Sequence, residues 1–262
     1  MNYLENYYNN YDEEGRLLRR HGQVEYLTTM HFINHILKED KAKRILEVGA
    51  GTGTGRYSVT LAKEGYEVDA LELIEHNLDI LKSKLDGTEK IRAVQGNALD
   101  LSRYGDESFD LVLILGPMYH LYTMEDRKKA LEEAVRVTNK GGHICVAYCM
   151  NECVVVQFAF AADNIKNLVQ KNMLTEDFHC LSDPEDLFAM VRLEEIYELT
   201  EGLAVIREKI VAADGATVYM RDKVNEFDDE TFDLWMKYHL ATCERMDLIG
   251  ATNHSLDILK KI

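Results

Sequence analysis

The chain has 262 residues, hydrophobic residues make up 46% of it and its net charge is −16. It can bury a real core, and its negative surface would repel phosphate backbones, which makes nucleic acid an unlikely partner. No apolar run reaches the length of a membrane span and the tyrosine-rich start does not resemble a signal peptide, so we expect a cytosolic protein.

Residues 1–40 carry apolar side chains at roughly helical spacing, and Gly22 separates two predicted helices. From 41 to 150, strand and helix patterns alternate five times. This alternation predicts a parallel, doubly wound α/β sheet.

The most informative stretch runs from Arg44 to Arg56. The apolar residues Ile45, Leu46 and Val48 predict a buried strand, and glycines follow at 49, 51, 53 and 55. A helix is predicted after them, ending at Gly65. Strand, glycine turn and helix open a nucleotide-binding βαβ unit, where glycine lets a ligand lie directly against the backbone.

Two common glycine loops do not fit this stretch. No register from Gly49, Gly51 or Gly53 satisfies the dinucleotide pattern G-x-G-x-x-G, and the chain has no Gly-Lys-Ser or Gly-Lys-Thr phosphate loop. The remaining pattern is E-x-G-x-G-x-G, from Glu47 to Gly53.

A second informative segment lies at 67–72, which is predicted to be the next strand. It ends in Glu72, near the spacing expected for an acid that binds a ribose. Asp69 is the rival carboxylate, but it precedes the end of the strand, and ligands bind beyond the carboxyl ends of parallel strands. We therefore choose Glu72.

Three further segments follow in order, at 94–100, 109–121 and 139–146. With the glycine loop and Glu72 they resemble the class I S-adenosylmethionine-dependent methyltransferases, over residues 44–149. The run Gly-Pro-Met-Tyr-His-Leu, 116–121, resembles one in a poorly characterised bacterial group of these enzymes. The resemblance implies a Rossmann-like, seven-stranded, mostly parallel sheet with a helical cap.

The resemblance also implies S-adenosylmethionine as the cofactor and a set of residues that bind it. Asn97 stands where the family usually has an acid for the adenine amino group, but its carbonyl can still accept a hydrogen bond. The implied cofactor contacts are Glu47, Gly49, Ala50, Gly51, Thr52, Gly53, Glu72, Leu73, Asn97, Ala98, Leu115 and Gly116.

Methyl transfer needs an acceptor atom held in line with the sulfonium methyl, and a base only if the acceptor keeps its proton. His120 is the first candidate for that base because it follows the fourth strand by a few residues, and Tyr119 is its neighbour. A structural role for His120 in its loop is equally compatible with the sequence. The candidate substrate contacts are Tyr11, Tyr148, His179 and His239.

Outside the core, the resemblance implies that 1–40 forms a helical lid over the cofactor. We expect a helical insertion at 151–182, a sixth strand within 190–202, a helical cap at 203–250 and a last, antiparallel strand at 254–262. The five cysteines match no zinc pattern, so no metal site is predicted.

The sequence thus predicts a methyltransferase that acts on an oxygen or nitrogen atom of a small molecule. Two alternatives stay open. One is a protein or RNA acceptor, and the other is a domain that binds the cofactor without catalysis. Neither the oligomeric state nor the identity of the acceptor follows from the residues.

Overall fold

A central β-sheet organises the protein, seen here in a computed structural model that describes residues 3–10, 15, 18–40, 44–51 and 55–262. Its strands are β1 Arg44–Val48, β2 Glu67–Glu72, β3 Ile91–Gln95, β4 Phe109–Ile114, β5 Thr138–Met150, β6 Met190–Val191, β7 Val205–Ala212 and β8 His254–Lys261.

Helices cover both faces and one end of this sheet. They are α1 Tyr3–Asn10, α2 Arg20–Asp40, α3 Arg56–Lys63, α4 Glu75–Ser83, α5 Met124–Val137, α6 Asn151–Val154, α7 Ile165–Gln170, α8 Leu193–Leu199, α9 Arg221–Asn225, α10 Asp229–Thr242 and α11 Met246–Ile249. Two short 3-10 segments lie at Pro117–His120 and Gly215–Met220, and a π-helical segment lies at Val155–Ala161.

The eight-stranded sheet has the order β3-β2-β1-β4-β5-β8-β7, and the short β6 pairs with the end of β5. Strands β1 to β5 run parallel, whereas β8 lies antiparallel between β5 and β7. The predicted α/β class, the mostly parallel sheet and the antiparallel last strand are confirmed.

The core lies on both faces of the sheet because consecutive residues of a strand point to opposite sides. In β1, Leu46 and Val48 belong to one buried apolar cluster, and Ile45 belongs to another. In β4, Val112 joins the first cluster and Leu111 the second. This explains why these strands read as continuous apolar runs.

The structure corrects two assignments late in the chain. The predicted sixth strand at 193–200 is instead the helix α8, whose start is closed by the Glu195 carboxylate accepting from the Arg192 N–H at 2.6 Å. The predicted helix at the start of the cap is instead β7, whose β-branched residues pair with β8. The proposed cap at 203–250 is therefore helical only after β7.

The insertion at 151–182 contains α6, the π-helical segment and α7, followed by non-helical chain. Tyr11, Thr52 and Gly53 lie outside the described residues. In the part of the chain that the structure describes, no helix combines the length and apolarity needed to cross a membrane.

A buried ion pair ties β7 to β8, and its removal should be costly. The Arg207 guanidinium donates to both carboxylate oxygens of Asp257, at 2.7 and 3.0 Å, and Asp257 is fully buried. We expect Asp257→Ala to lower the free energy of unfolding by about 3–5 kcal/mol, because the largely buried Arg207 guanidinium loses the carboxylate that balances its charge. Urea denaturation followed by circular dichroism measures this loss.

The matched control is Asp247→Ala, which breaks an exposed pair with Arg245 of similar length, 2.8 Å. We expect this control to cost less than about 1 kcal/mol, because water screens the charges. Equal losses in the two variants would contradict a stabilising role for the buried pair.

Candidate functional site

The turn after β1 is tied to the neighbouring strand by its backbone. The N–H groups of Gly49 and Ala50 both donate to the carbonyl oxygen of Leu71, at 2.7 and 2.9 Å. Gly49 has a φ of +77°, and a Cβ there would lie 2.6 Å from Cδ of Pro117. Only glycine satisfies both conditions without strain.

Glu72, the last residue of β2, is held in place by the same turn. Its Oε2 accepts from the Gly51 N–H at 2.6 Å and its Oε1 accepts from the Ile74 N–H at 2.9 Å. A Cβ on Gly51 would lie 2.7 Å from the Glu72 carboxylate, so glycine is needed here too. Burial raises the pKa of Glu72, and the backbone N–H groups of Ile74 and Gly51 oppose that rise.

A cavity of about 300 Å³ opens at the carboxyl ends of β1, β2 and β4, and we call it the glycine-loop cavity. Its walls include many of the residues predicted as cofactor contacts, together with Leu4 and Tyr8 of α1 and the candidate base His120. Those predicted cofactor contacts are Gly49, Gly51, Glu72, Leu73, Asn97, Ala98 and Gly116.

Three proposed cofactor contacts do not line this cavity. Ala50 and Leu115 are buried in the apolar core. The Glu47 side chain accepts a hydrogen bond from the Ser58 hydroxyl of α3 and is fully buried. The side chain thus contacts α3 rather than the cavity, and burial raises its pKa to about 7.

Asn97 lines the cavity but already uses its side-chain oxygen locally. That oxygen accepts from the Leu99 N–H at 3.0 Å, which fixes the turn after β3. One lone pair of the oxygen is left for a ligand.

A second and larger cavity, of about 690 Å³, lies beside the first, and we call it the tyrosine cavity after Tyr7, Tyr8 and Tyr119 in its wall. Tyr8 lines both cavities. Tyr119 faces the tyrosine cavity, whereas the adjacent His120 faces the glycine-loop cavity. The 3-10 segment that carries both residues thus borders the two spaces.

His120 is engaged through both of its ring nitrogens. Nδ1 lies 2.6 Å from the Leu187 carbonyl oxygen, which can only accept, so Nδ1 carries the proton. Nε2 therefore accepts from the Tyr8 hydroxyl at 2.9 Å. Burial lowers the pKa of His120 to about 4, so the ring is a weak base whose lone pair is already bound.

The remaining predicted substrate residues do not reach either of these cavities. Tyr148 is almost completely buried in the core, although we expected it to meet a substrate at the end of β5. The His179 Nε2 is paired with Glu195 at 2.7 Å, and His239 is buried against Gly215. The structure does not bring these three side chains into the wall of either cavity, and their contact with a substrate stays a prediction.

The sequence reasoning missed Tyr8, Glu25, Asp214 and His254, which all line the tyrosine cavity. Glu25 lies on α2, Asp214 follows β7 and His254 begins β8. Their separation along the chain, in elements with no shared motif, left no local signal.

The sequence matches known methyltransferases in its core. Residues 46–146 match the sequence model of a methyltransferase domain family. The chain is 36% identical to a demethylmenaquinone methyltransferase of Clavibacter sepedonicus over 104 residues. This aligned stretch covers 40% of each protein. Over 142 residues the chain is 30% identical to a glycine/sarcosine N-methyltransferase of Aphanothece halophytica, covering 53% of this chain and 51% of that one. The chain thus spans about half, or less, of the length of these relatives.

Solved structures share the fold over more of the chain. A methyltransferase from Thermotoga maritima, described as a possible histamine N-methyltransferase, covers 99% of both chains with a TM-score of 0.58 at 20% identity. An S-adenosylmethionine-dependent methyltransferase from Methanosarcina mazei covers 88% of this chain and 97% of its own, with a TM-score of 0.56 at 16% identity. At these identities the likeness shows the fold alone.

Residues 46–146 therefore match a methyltransferase domain, and they lie in a fold that solved S-adenosylmethionine-dependent methyltransferases share.

The buried Glu47 should make stability depend on pH. Its pKa is about 7 in the folded protein against the ordinary 4.5, so the folded state holds the proton more tightly. This contribution is complete below pH 4.5 and is lost as pH rises through about 7. Between pH 5 and 8 the wild type should lose on the order of 3 kcal/mol more than Glu47→Gln, measured by urea denaturation.

The control for this measurement is Glu132→Gln, which changes an exposed carboxylate of α5. It should follow the wild type at every pH. A Glu47→Gln variant with the same pH dependence as the wild type would show that Glu47 does not take up a proton on folding.

Proposed function

We propose that the protein transfers a methyl group from S-adenosylmethionine to an oxygen or nitrogen atom of a small molecule by direct in-line displacement. The observation that carries this proposal is the adjacency of two cavities. One is built on the glycine turn and Glu72, the other is walled by aromatic and charged side chains, and Tyr8 borders both.

On the cofactor side, we propose that Glu72 accepts from the ribose hydroxyls. Its carboxylate lines the cavity and is fixed by two backbone N–H groups, so it needs little reorganisation on binding. The adenine would lie by Asn97 and Ala98, and the methionine tail by Gly49 and Gly116. When bound, the cofactor supplies an activated methyl group.

The acceptor would occupy the tyrosine cavity, where Tyr119 is the proposed residue that touches it. Tyr7 packs edge-on against Phe188, with ring centroids 5.7 Å apart, and these rings form an apolar wall. The side chains can hold an acceptor and exclude water, and positioning alone supplies ~7–11 kcal/mol. His120 acts in this proposal by holding Tyr8 rather than as the base.

A small acceptor is favoured over a macromolecule by the shape of the site. Helix α1 contributes residues to the walls of both cavities, which narrows them, and a protein or RNA segment would need an open groove. The names of the relatives, which include demethylmenaquinone and glycine/sarcosine methyltransferases, support the same choice. We also propose that the protein is cytosolic. We further propose that it belongs to the bacterial group of methyltransferases that carry a Gly-Pro-x-Tyr-His-Leu run.

The two rival carboxylates of β2 give a direct test of cofactor binding. Asp69 does not line the glycine-loop cavity and instead pairs with Arg92 at 2.5 Å. Glu72→Gln should weaken binding of S-adenosylmethionine by about 30-fold or more, because it removes charge-assisted hydrogen bonds to the ribose. Calorimetry measures the dissociation constants.

Asp69→Asn is the control and should bind the cofactor within about threefold of wild type, since its side chain faces away from the cavity. Equal losses in both variants, or none in Glu72→Gln, would contradict the proposed ribose contact.

The acceptor class can be tested with radiolabelled S-adenosylmethionine. The purified protein is incubated with a pool of small metabolites or, separately, with RNA and with protein extract. We expect label to enter the small-molecule fraction alone. Label in RNA or protein would contradict the small acceptor, and cofactor binding without transfer to any pool would favour a non-catalytic domain.

A further inference from the structure

Two buried carboxylates and a largely buried imidazole meet at the wall of the tyrosine cavity. They are Glu25 of α2, Asp214 after β7 and His254 of β8. Nδ1 of His254 lies 2.8 Å from Oδ2 of Asp214 and 3.4 Å from Oε2 of Glu25. One donor atom of each side chain lies within 4.8 Å of the other two.

We propose that Glu25, Asp214 and His254 bind a divalent transition-metal ion, with zinc, manganese and cobalt as the class of ion that suits them. One imidazole and two carboxylates are a mixed nitrogen and oxygen set, which such ions accept.

The spacing of the donor atoms supports this proposal. An ion with bonds of about 2.1 Å and ligand–metal–ligand angles between tetrahedral and square holds neighbouring ligand atoms about 3.0–3.4 Å apart. The separations from His254 Nδ1, 2.8 and 3.4 Å, are close to that range. Small rotations of the side chains would therefore admit an ion.

The Asp214 carboxylate is already oriented for this role. Its Oδ1 accepts from the Thr252 hydroxyl at 2.6 Å and from the N–H groups of Asn253 and His254 at 3.0 and 3.1 Å. These contacts leave Oδ2 facing the His254 imidazole, 2.8 Å from its Nδ1. Outer hydrogen bonds of this kind fix the ligands of known metal sites.

Charge and space point the same way. The two carboxylates carry two buried negative charges, which a divalent ion balances fully and a single imidazolium balances by half. The cavity of about 690 Å³ beside them leaves room for further ligands. If the proposed function holds, a hydroxyl or amine of the acceptor could bind there and lose its proton more readily.

Other histidine–carboxylate pairs of the protein lack this arrangement. His179 pairs with Glu195 at 2.7 Å and His143 with Glu208 at 3.0 Å. Among the residues that the structure describes, no other three such donors come this close together. His179→Gln is therefore a matched control.

The test is metal binding by the purified full chain after treatment with a chelator. Cobalt is titrated and followed by visible absorption, and zinc by calorimetry. We expect one equivalent of either ion in the wild type and in His179→Gln. Glu25→Gln and His254→Gln should bind at least about 100-fold more weakly, because each loses a ligand atom.

Folding and cofactor binding are checked separately. Thermal melting should show that Glu25→Gln is folded, and S-adenosylmethionine should bind it within about twofold of wild type, since Glu25 does not line the glycine-loop cavity. X-ray absorption of the cobalt-loaded wild type, expected to show one imidazole ligand, tests the site without any variant.

Several results would overturn the proposal. One is a wild type that binds neither ion, and another is a Glu25→Gln variant that binds as tightly as the wild type. A third is an X-ray absorption spectrum of the cobalt-loaded protein without an imidazole ligand. The last is a loss of metal affinity in His179→Gln as large as in the two ligand variants. The first would mean that the three side chains form an ion cluster around a protonated imidazole only. None of these results would touch the evidence for cofactor binding, which is measured at Glu72.

Discussion

The site depends on one carboxylate bound to two stretches of backbone. Glu72 accepts from Gly51 in the turn after β1 and from Ile74 at the start of α4, so a single side chain sets the distance between the two loops. The parallel register places the ends of β1 and β2 side by side, and that adjacency makes the contact available. Because the carboxylate is bound before any ligand arrives, the cavity is largely formed in advance.

The residues of the glycine-loop cavity could be predicted from sequence because local backbone geometry demands particular residues. Gly49 and Gly51 are needed where a Cβ would collide with Pro117 and Glu72. Glu72 follows from its place at a strand end. Glu47 belongs to the same motif, yet its side chain binds Ser58, since spacing alone does not tell which way a side chain turns.

The late strands and the tyrosine cavity were harder to predict, for different reasons. Between 193 and 212 we predicted a strand where the structure has a helix and a helix where it has a strand. Both segments are short and partly apolar, and in such segments the periodicities of a helix and a strand are nearly indistinguishable. The tyrosine cavity draws Glu25 and His254 from elements more than 200 residues apart, so their meeting depends on how β8 enters the sheet. Tyr148 shows the opposite situation. It lies near the carboxyl end of β5, where a substrate contact was predicted, but its side chain is buried in the core.

The hydrogen bond between Tyr8 and His120 joins the first helix to the segment between the two cavities. Since Leu187 accepts from the other ring nitrogen, the same imidazole also connects that helix to the chain before β6. Tyr8 lines both cavities, so the phenol held by this imidazole belongs to the walls of two separate spaces. A change in its position in one cavity would therefore alter the wall of the other.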